Sequence, residues 1–151
     1  MTNTAFRFLN IIIAALLAGT SFGIWIGFNP LHLSPSTYIK QQQNTIRSLN
    51  AIMTVLVLSA AVITIISAIL QRGNKPVFIA LVIAALFFIA CILISRFGNQ
   101  PLNRVIMTWS QGSPPADLSV LRDKWWSFHI MRTIAELIAL FLVTLADIKK
   151  N

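Results

Sequence analysis

Four long apolar runs divide this sequence, and they constrain the fold more than any other feature. They cover residues 8–28, 51–70, 76–95 and 126–146. Each run can cross the hydrocarbon core of a bilayer as a helix, which takes about 20 residues. Only 11% of the residues are charged and the mean hydropathy is +0.76, whereas a soluble domain is about 25% charged. The sequence therefore predicts an all-α integral membrane protein, in which residues 1–151 form a single four-helix transmembrane bundle.

The first run begins close to the N-terminus, where the alternative to a membrane helix is a cleaved signal peptide. Its apolar stretch is longer than the roughly 7–15 residues of a signal-peptide core, and no small-residue cleavage pattern ends it. We therefore expect residues 8–28 to be a retained first span.

Small residues recur every four positions within this run, at Ala15, Gly19, Gly23 and Gly27. Such a stripe lets a neighbouring helix approach closely, and we expect helix packing here. A groove that admits a flat ligand is the alternative interpretation.

The charge balance suits a membrane protein and gives no support to nucleic-acid binding. The formal net charge is +8, and the basic residues lie mainly between the apolar runs, where they flank membrane helices. The single cysteine, Cys91, excludes an intramolecular disulfide, and there is no zinc pattern, phosphate-binding glycine loop or nucleophile elbow. We expect the lipid bilayer and a lipophilic small molecule as partners, and the sequence also allows a homo-oligomer.

Four crossings place both termini on one side of the cell membrane and two long connections on the other. These connections cover residues 29–50 and 96–124. Because Gly98 and Pro101 interrupt the second connection, we expect it to be partly helical and re-entrant or interfacial. Polar and aromatic side chains of both connections should gather at one membrane surface.

A line of ionisable and aromatic side chains enters the fourth span. Arg122, Trp125, His129, Arg132 and Glu136 follow one another at intervals of three, four, three and four residues, which places them on one face of a helix. Ionisable groups at membrane depth are costly and suggest a functional site by default. The sequence predicts such a site at the mouth of this span.

Three residues carry the predicted chemistry: His129, Arg132 and Asn103. Arg132 can pair with Glu136 four residues later, either as a structural lock or to present Arg132 to an anionic or enolate oxygen. His129 can act as a general base, bind a metal or haem iron, or form an interfacial structural hydrogen bond. Asn103 can donate a second hydrogen bond to a carbonyl or peroxy oxygen.

The expected substrate-binding residues surround these three. The tryptophans either wall a pocket for a planar aromatic compound or form an aromatic belt. Asn99 lies four residues before Asn103 and can face the same site if the helix continues through Pro101. The predicted substrate-binding set is Asn99, Trp109, Arg122, Trp125, Trp126 and Glu136.

These motifs resemble the signature of the anthrone oxygenase-like family, a group of small four-span membrane proteins described largely as a domain of unknown function. The resemblance rests on Asn99-x-Pro101-Leu102-Asn103, Trp109, Arg122-x-x-Trp125 and His129-x-x-Arg132, with support from the Gly-rich first span before Asn29-Pro30. It implies oxidation of an anthrone to an anthraquinone by dioxygen, without an established cofactor. It also implies that Asn103, Trp109, Arg122, Trp125 and Arg132 are family positions, and that position 129 holds Asn as readily as His.

The sequence thus predicts a membrane-embedded, oxygenase-like enzyme that acts on a lipophilic, planar aromatic compound with dioxygen. In one alternative, His32 and His129 ligate a b-type haem or a metal in a membrane redox protein. In another, the chain is a non-enzymatic binding or assembly protein.

Overall fold

The computed structural model describes residues 2–148, and four helical rods in this range are long and apolar enough to cross a membrane. Helix α1 covers Thr2–Gly27, α2 covers Pro35–Leu70, α3 covers Lys75–Ile94, α4 covers Gln100–Ile106 and α5 covers Leu118–Ile148. A π-helical turn, Ser95–Asn99, joins α3 to α4, and a 3₁₀ turn, Pro30–His32, follows α1. The predicted all-α class and four-helix bundle are confirmed.

Proline and capping side chains set the helix starts. Ser34 Oγ accepts a hydrogen bond from the Thr37 backbone N–H at 3.4 Å, and Pro35 occupies the first position of α2. Asn74 caps α3 in the same way, with Pro76 in the first turn. Because α2 begins so early, the polar segment before the second apolar run is helical throughout.

The four rods form a ring, in which α1 and α3 each contact both α2 and α5. Alanine is frequent where the helices meet, and Ala14, Ala60, Ala84 and Ala139 have no exposed surface. Small side chains let helix backbones approach closely in lipid, where van der Waals contact replaces the hydrophobic effect as the source of association. The ring therefore encloses a narrow interior shared by all four rods.

The stripe of small residues in α1 takes no part in this packing. Ala15, Gly19, Gly23 and Gly27 are all exposed on the outer surface. At the three glycines, nothing outside the local helix lies within 4 Å of where a Cβ atom would stand. Helix packing against this stripe, expected from the sequence, is therefore not found within residues 2–148.

The π-turn carries the third rod past Pro101 without a break. Pro101 has no N–H to bond the carbonyl of Phe97, and its ring would crowd that carbonyl in a regular α-helix. The wider π-turn accommodates both effects. Gly98 in this turn lies against the Phe128 ring, since a Cβ atom there would stand 2.8 Å from Phe128 Cγ. The connection that Gly98 and Pro101 were expected to interrupt is therefore helical as far as Ile106.

Candidate active site

A cavity of about 440 Å³ lies within the ring, toward the end where α4 begins. This volume falls in the range of roughly 300–1,000 Å³ that holds small-molecule ligands. All four rods line the cavity, and its wall is mainly apolar on α1 and α2 and polar on the third rod and α5. The lining residues are Leu17, Asn50, Met53, Thr54, Val57, Leu58, Ile92, Ser95, Arg96, Gln100, Arg104, Arg132 and Glu136.

Arg132 and Glu136 supply the charged part of this wall from α5. The side chain of Glu136 is fully buried, and that of Arg132 is 14% exposed. Arg132 Nε lies 3.4 Å from Glu136 Oε1, as the spacing of four residues predicts. A buried carboxylate needs such a counter-charge, because transfer of a lone charge out of water is costly.

The contacts of Arg132 are long for a charged donor. Arg132 Nη1 donates to Ser95 Oγ at 3.2 Å, and Nη2 lies 3.3 Å from Nδ1 of His129. Charge-assisted N–H···O bonds are usually about 2.7–2.9 Å. Within residues 2–148, Arg132 Nε and both carboxylate oxygens of Glu136 have no hydrogen-bond partner. An incoming oxygen atom can therefore compete for this guanidinium.

His129 lies behind Arg132 in a stack of aromatic rings on α5. Its ring centroid is 5.2 Å from that of Trp125 and 5.4 Å from that of Trp126, with interplanar angles of 8° and 23°. The imidazole is fully buried, and its Nε2 has no partner among the described residues. Ser21 of α1 is also buried, and its Oγ has no hydrogen-bond partner among the described residues.

Side-chain amides connect α5 to the third rod and to α2. Trp125 Nε1 donates to Asn103 Oδ1 at 2.8 Å, and Asn99 Nδ2 donates to the Trp125 carbonyl at 3.1 Å. Asn50 Oδ1 accepts from Gln100 Nε2 at 2.7 Å and from Asn103 Nδ2 at 3.4 Å. Because the helix continues through Pro101, Asn99 and Asn103 both reach Trp125, and their role in a substrate site stays a prediction.

A second, small cavity of about 40 Å³ adjoins this amide network. Asn99, Asn103, Trp125 and His129 line the small cavity and do not line the large one. Arg132 is shared by both cavities, as are Asn50 and Met53. The predicted site residues are thus divided between two neighbouring spaces, with Arg132 at the boundary.

Three predicted substrate-binding residues line neither cavity. Trp126 is buried in the ring stack, and Trp109 is half-buried with its ring centroid 6.4 Å from that of Tyr38. Arg122 Nε lies 2.9 Å from Asp123 Oδ1, at the exposed start of α5. Arg122 and Trp125 share one face of α5, but the large cavity lies further along that face, beyond both residues.

The haem alternative does not fit this arrangement. His32 is exposed on the 3₁₀ turn and lines neither cavity, whereas His129 is enclosed by the two tryptophans. A haem clamped between two histidines needs both imidazoles to face one large space. Over residues 2–148, no three His, Cys, Asp or Glu side chains are grouped so that they could hold a metal ion.

The lining residues that were not predicted from the sequence include Asn50, Arg96, Gln100 and Arg104. Arg96, Gln100 and Arg104 are separated by four residues each, a spacing that indicates one helix face. That signal was present in the sequence, but the glycine and proline between them suggested an interrupted helix. Asn50 carries no such signal, because nothing in its neighbourhood distinguishes it from other polar residues at a span boundary.

The fold and the cavity together define a class of protein: a multi-pass helical membrane protein with a ligand-sized, partly open cavity beside buried charged groups. The chain belongs to the anthrone oxygenase family, whose sequence profile matches residues 42–142. The matched range contains every cavity-lining residue except Leu17 and Ile24. No curated protein and no solved structure shows significant similarity to the chain.

Proposed function

We propose that this protein is a membrane-embedded oxygenase that oxidises a lipophilic, planar aromatic compound with dioxygen. One observation carries the proposal: the Arg132–Glu136 pair, loosely bonded and buried, lies at the wall of the 440 Å³ cavity. Membership of the anthrone oxygenase family supports the same class of substrate. An anthrone suits an apolar cavity and carries an acidic methylene group between its rings.

Glu136 is the group that we assign as the base. His129 was predicted for this role from the sequence, but only Glu136 lines the large cavity. Its side chain has no exposed surface, so the ligand reaches it when Arg132 turns away from its long contacts toward the ligand oxygen. The carboxylate then accepts the methylene proton, and the guanidinium stabilises the resulting enolate.

The electron-rich anion reacts directly with dioxygen. A C–O bond forms at the former methylene carbon, and the terminal oxygen takes a proton from Glu136 to give a hydroperoxide. Loss of the remaining C–H proton and cleavage of the O–O bond then give the new carbonyl group and water. The methylene group and one dioxygen molecule are thereby converted to a carbonyl group and one water molecule.

We assign positioning roles to other predicted site residues, which contact Arg132 or Trp125. We assign His129 to positioning Arg132, since its Nδ1 lies 3.3 Å from Nη2. Asn103 holds the Trp125 indole at 2.8 Å, and Asn99 holds the Trp125 carbonyl, so both stiffen the boundary between the cavities. Direct contact of Asn103 with the ligand stays a prediction. So does substrate binding by Trp109, Trp126 and Arg122.

Turnover in lipid nanodiscs tests the proposal. Anthrone and 1,8-dihydroxyanthrone are supplied with ¹⁸O-labelled dioxygen, and anthraquinone formation is compared with that in protein-free nanodiscs, because anthrones also oxidise spontaneously. We expect a rate above this background and one labelled atom in the product. Glu136→Gln should lower the rate by about 100-fold or more, since general bases contribute about 10²–10⁴-fold.

The matched control is Asp117→Asn, which removes an exposed carboxylate outside both cavities and should leave the rate unchanged. A rate equal to that of protein-free nanodiscs, or full activity in Glu136→Gln, would contradict the proposal. Binding of the anthrone without turnover would instead favour the non-enzymatic binding protein.

A further inference from the structure

Two arginines at the large cavity have no assigned purpose in the reaction. Arg96 and Arg104 both line the cavity from the third rod, and Gln100 lies between them. Both arginines are exposed, and no acidic side chain lies within 4 Å of either among the described residues. They are therefore free to bind an anion.

The charges around the cavity are unbalanced. Three arginines line it, but among the described residues its only acidic lining residue is Glu136, which already faces Arg132. Arg96 and Arg104 thus leave two positive charges without a counter-charge at the cavity. Guanidinium groups bind carboxylates through paired, planar hydrogen bonds, which a single ammonium cannot match.

Apolar side chains line much of the rest of the cavity. Leu17 lies on α1, Met53, Val57 and Leu58 lie on α2, and Ile92 lies on the third rod, while no described charged side chain of α1 or α2 lines the cavity. Leu58 and Thr54 also have exposed surface, so the cavity is open to the outside beside α2, whose apolar run we expect to face lipid. A molecule dissolved in the bilayer can enter there with its apolar part first.

We propose that the cavity selects a small lipophile that carries a carboxylate, with the carboxylate bound by Arg96 and Arg104 and the apolar body held between α2 and α3. The volume of about 440 Å³ favours a compact ring system over a two-chain phospholipid, which is much larger. Gln100, which lies between the two arginines in the sequence, is fixed by its 2.7 Å bond to Asn50. This inference rests on the proposed function only in using the same cavity.

A measurement of binding that requires no turnover tests the proposed carboxylate selectivity. Anthracene-2-carboxylate and its methyl ester are fluorescent, share one ring system and differ in charge. Energy transfer from the tryptophans to each probe is measured in phosphatidylcholine nanodiscs at pH 8, where the acid is ionised, and is expressed per mole fraction in the bilayer. We expect the carboxylate to bind about tenfold or more tightly than the ester.

Charge-removing variants identify the groups responsible. Arg96→Gln and Arg104→Gln should each weaken carboxylate binding about tenfold and leave ester binding unchanged. Arg72→Gln is the matched control: it removes an exposed arginine that lines none of the cavities described for this protein, and it should change neither affinity. Equal binding of acid and ester, or an equal loss in Arg72→Gln, would overturn the proposal.

A phospholipid occupant is tested by replacing part of the phosphatidylcholine with anionic phosphatidylglycerol. Unchanged carboxylate binding supports the proposal, whereas loss of the carboxylate preference assigns the arginines to lipid headgroups and overturns it. Carboxylate selectivity without anthrone turnover would leave this inference standing and refute the proposed function. Anthrone turnover without carboxylate selectivity would support the proposed function and overturn this inference.

Discussion

The two ends of the bundle each hold an arginine–carboxylate pair, but in opposite states. At one end, Arg7 of α1 bonds both the carboxylate and the backbone carbonyl of Asp147 in α5. Nearby, Thr64 donates to Asn10 Oδ1 at 2.8 Å, and the remaining void is only about 10 Å³. This end is packed and its ion pair is hydrogen-bonded, as in an ordinary structural contact.

At the other end, Arg132 and Glu136 lie beside 440 Å³ of empty space, and the carboxylate oxygens accept no hydrogen bond within residues 2–148. Buried polar groups in native proteins are nearly always bonded, so several orphan groups in one place need an explanation. The comparison suggests that an arginine–carboxylate pair stabilises the bundle where its hydrogen bonds are made within the protein. Where those hydrogen bonds are not made, the pair is available to a ligand.

Neutralising each pair should separate these roles, and this test has the largest expected effect. In Arg132→Met/Glu136→Leu, activity should fall about 100-fold or more. Its melting temperature should stay the same or rise, because replacing a buried ion pair by apolar side chains of similar volume is often neutral or stabilising by about 1–4 kcal/mol. The measurements are anthrone oxidation and thermal unfolding in the same nanodiscs.

The comparison variant is Arg7→Gln/Asp147→Asn at the packed end. It should keep its activity and lose about 1 kcal/mol of stability or less, since this pair is partly exposed. A larger loss of stability in the site variant than in the Arg7 variant would reverse our assignment of the two pairs.

The next largest expected effect is the loss of stability on substitution of Gly98 in the π-turn. Gly98→Ala should destabilise the bundle by about 1–3 kcal/mol, because the new methyl group overlaps the Phe128 ring. Gly19→Ala is the matched substitution on the outer face, where it meets nothing, and it should be neutral or stabilise α1 by up to about 1 kcal/mol. Thermal unfolding followed by tryptophan fluorescence compares the two.

A second change distinguishes the overlap from a general loss of helix geometry. Gly98→Ala/Phe128→Leu should recover part of the lost stability, because the smaller side chain can move away from the methyl group. Equal melting temperatures for Gly98→Ala and Gly19→Ala would disprove the close contact at Phe128.

The smallest expected difference is that between the effects of replacing one buried asparagine at each end. Asn103→Ala removes the acceptor that the Trp125 N–H has among residues 2–148 and should cost about 1–3 kcal/mol, the penalty for an orphaned buried donor. Asn10→Ala should cost roughly 1 kcal/mol less, because the Thr64 hydroxyl can turn to the carbonyl four residues earlier in α2. Denaturation in mixed micelles measures both, and an equal or greater loss for Asn10→Ala would refute this ranking.

Much of the fold was predictable because its signals are local. Run length and hydropathy predict the four rods, and Pro35 and Pro76 mark two helix starts whatever the rest of the chain does. The face of α5 that carries His129, Arg132 and Glu136 was equally accessible, since a period of 3.6 residues holds in any α-helix. The deep position of Glu136 follows from its place within the fourth apolar run.

The sequence predictions failed where an outcome depends on a neighbour. The small-residue stripe of α1 has the same sequence pattern whether it faces a helix or lipid. Only the packing of the ring decides that Gly19 lies on the outer surface. The helix around Pro101 is continuous because a π-turn fits against Phe128, a residue 27 positions further along the chain. That continuity brings Arg96 and Arg104 to the cavity.

The sequence by itself determined that this chain forms four membrane-length helices, with a charged and aromatic face on the last one, because hydropathy and helical period are properties of single segments. The tertiary structure alone decided which of those polar groups share a cavity and which are saturated by neighbours. The physical reason is that both depend on the rotation and spacing of packed helices, which no single segment contains.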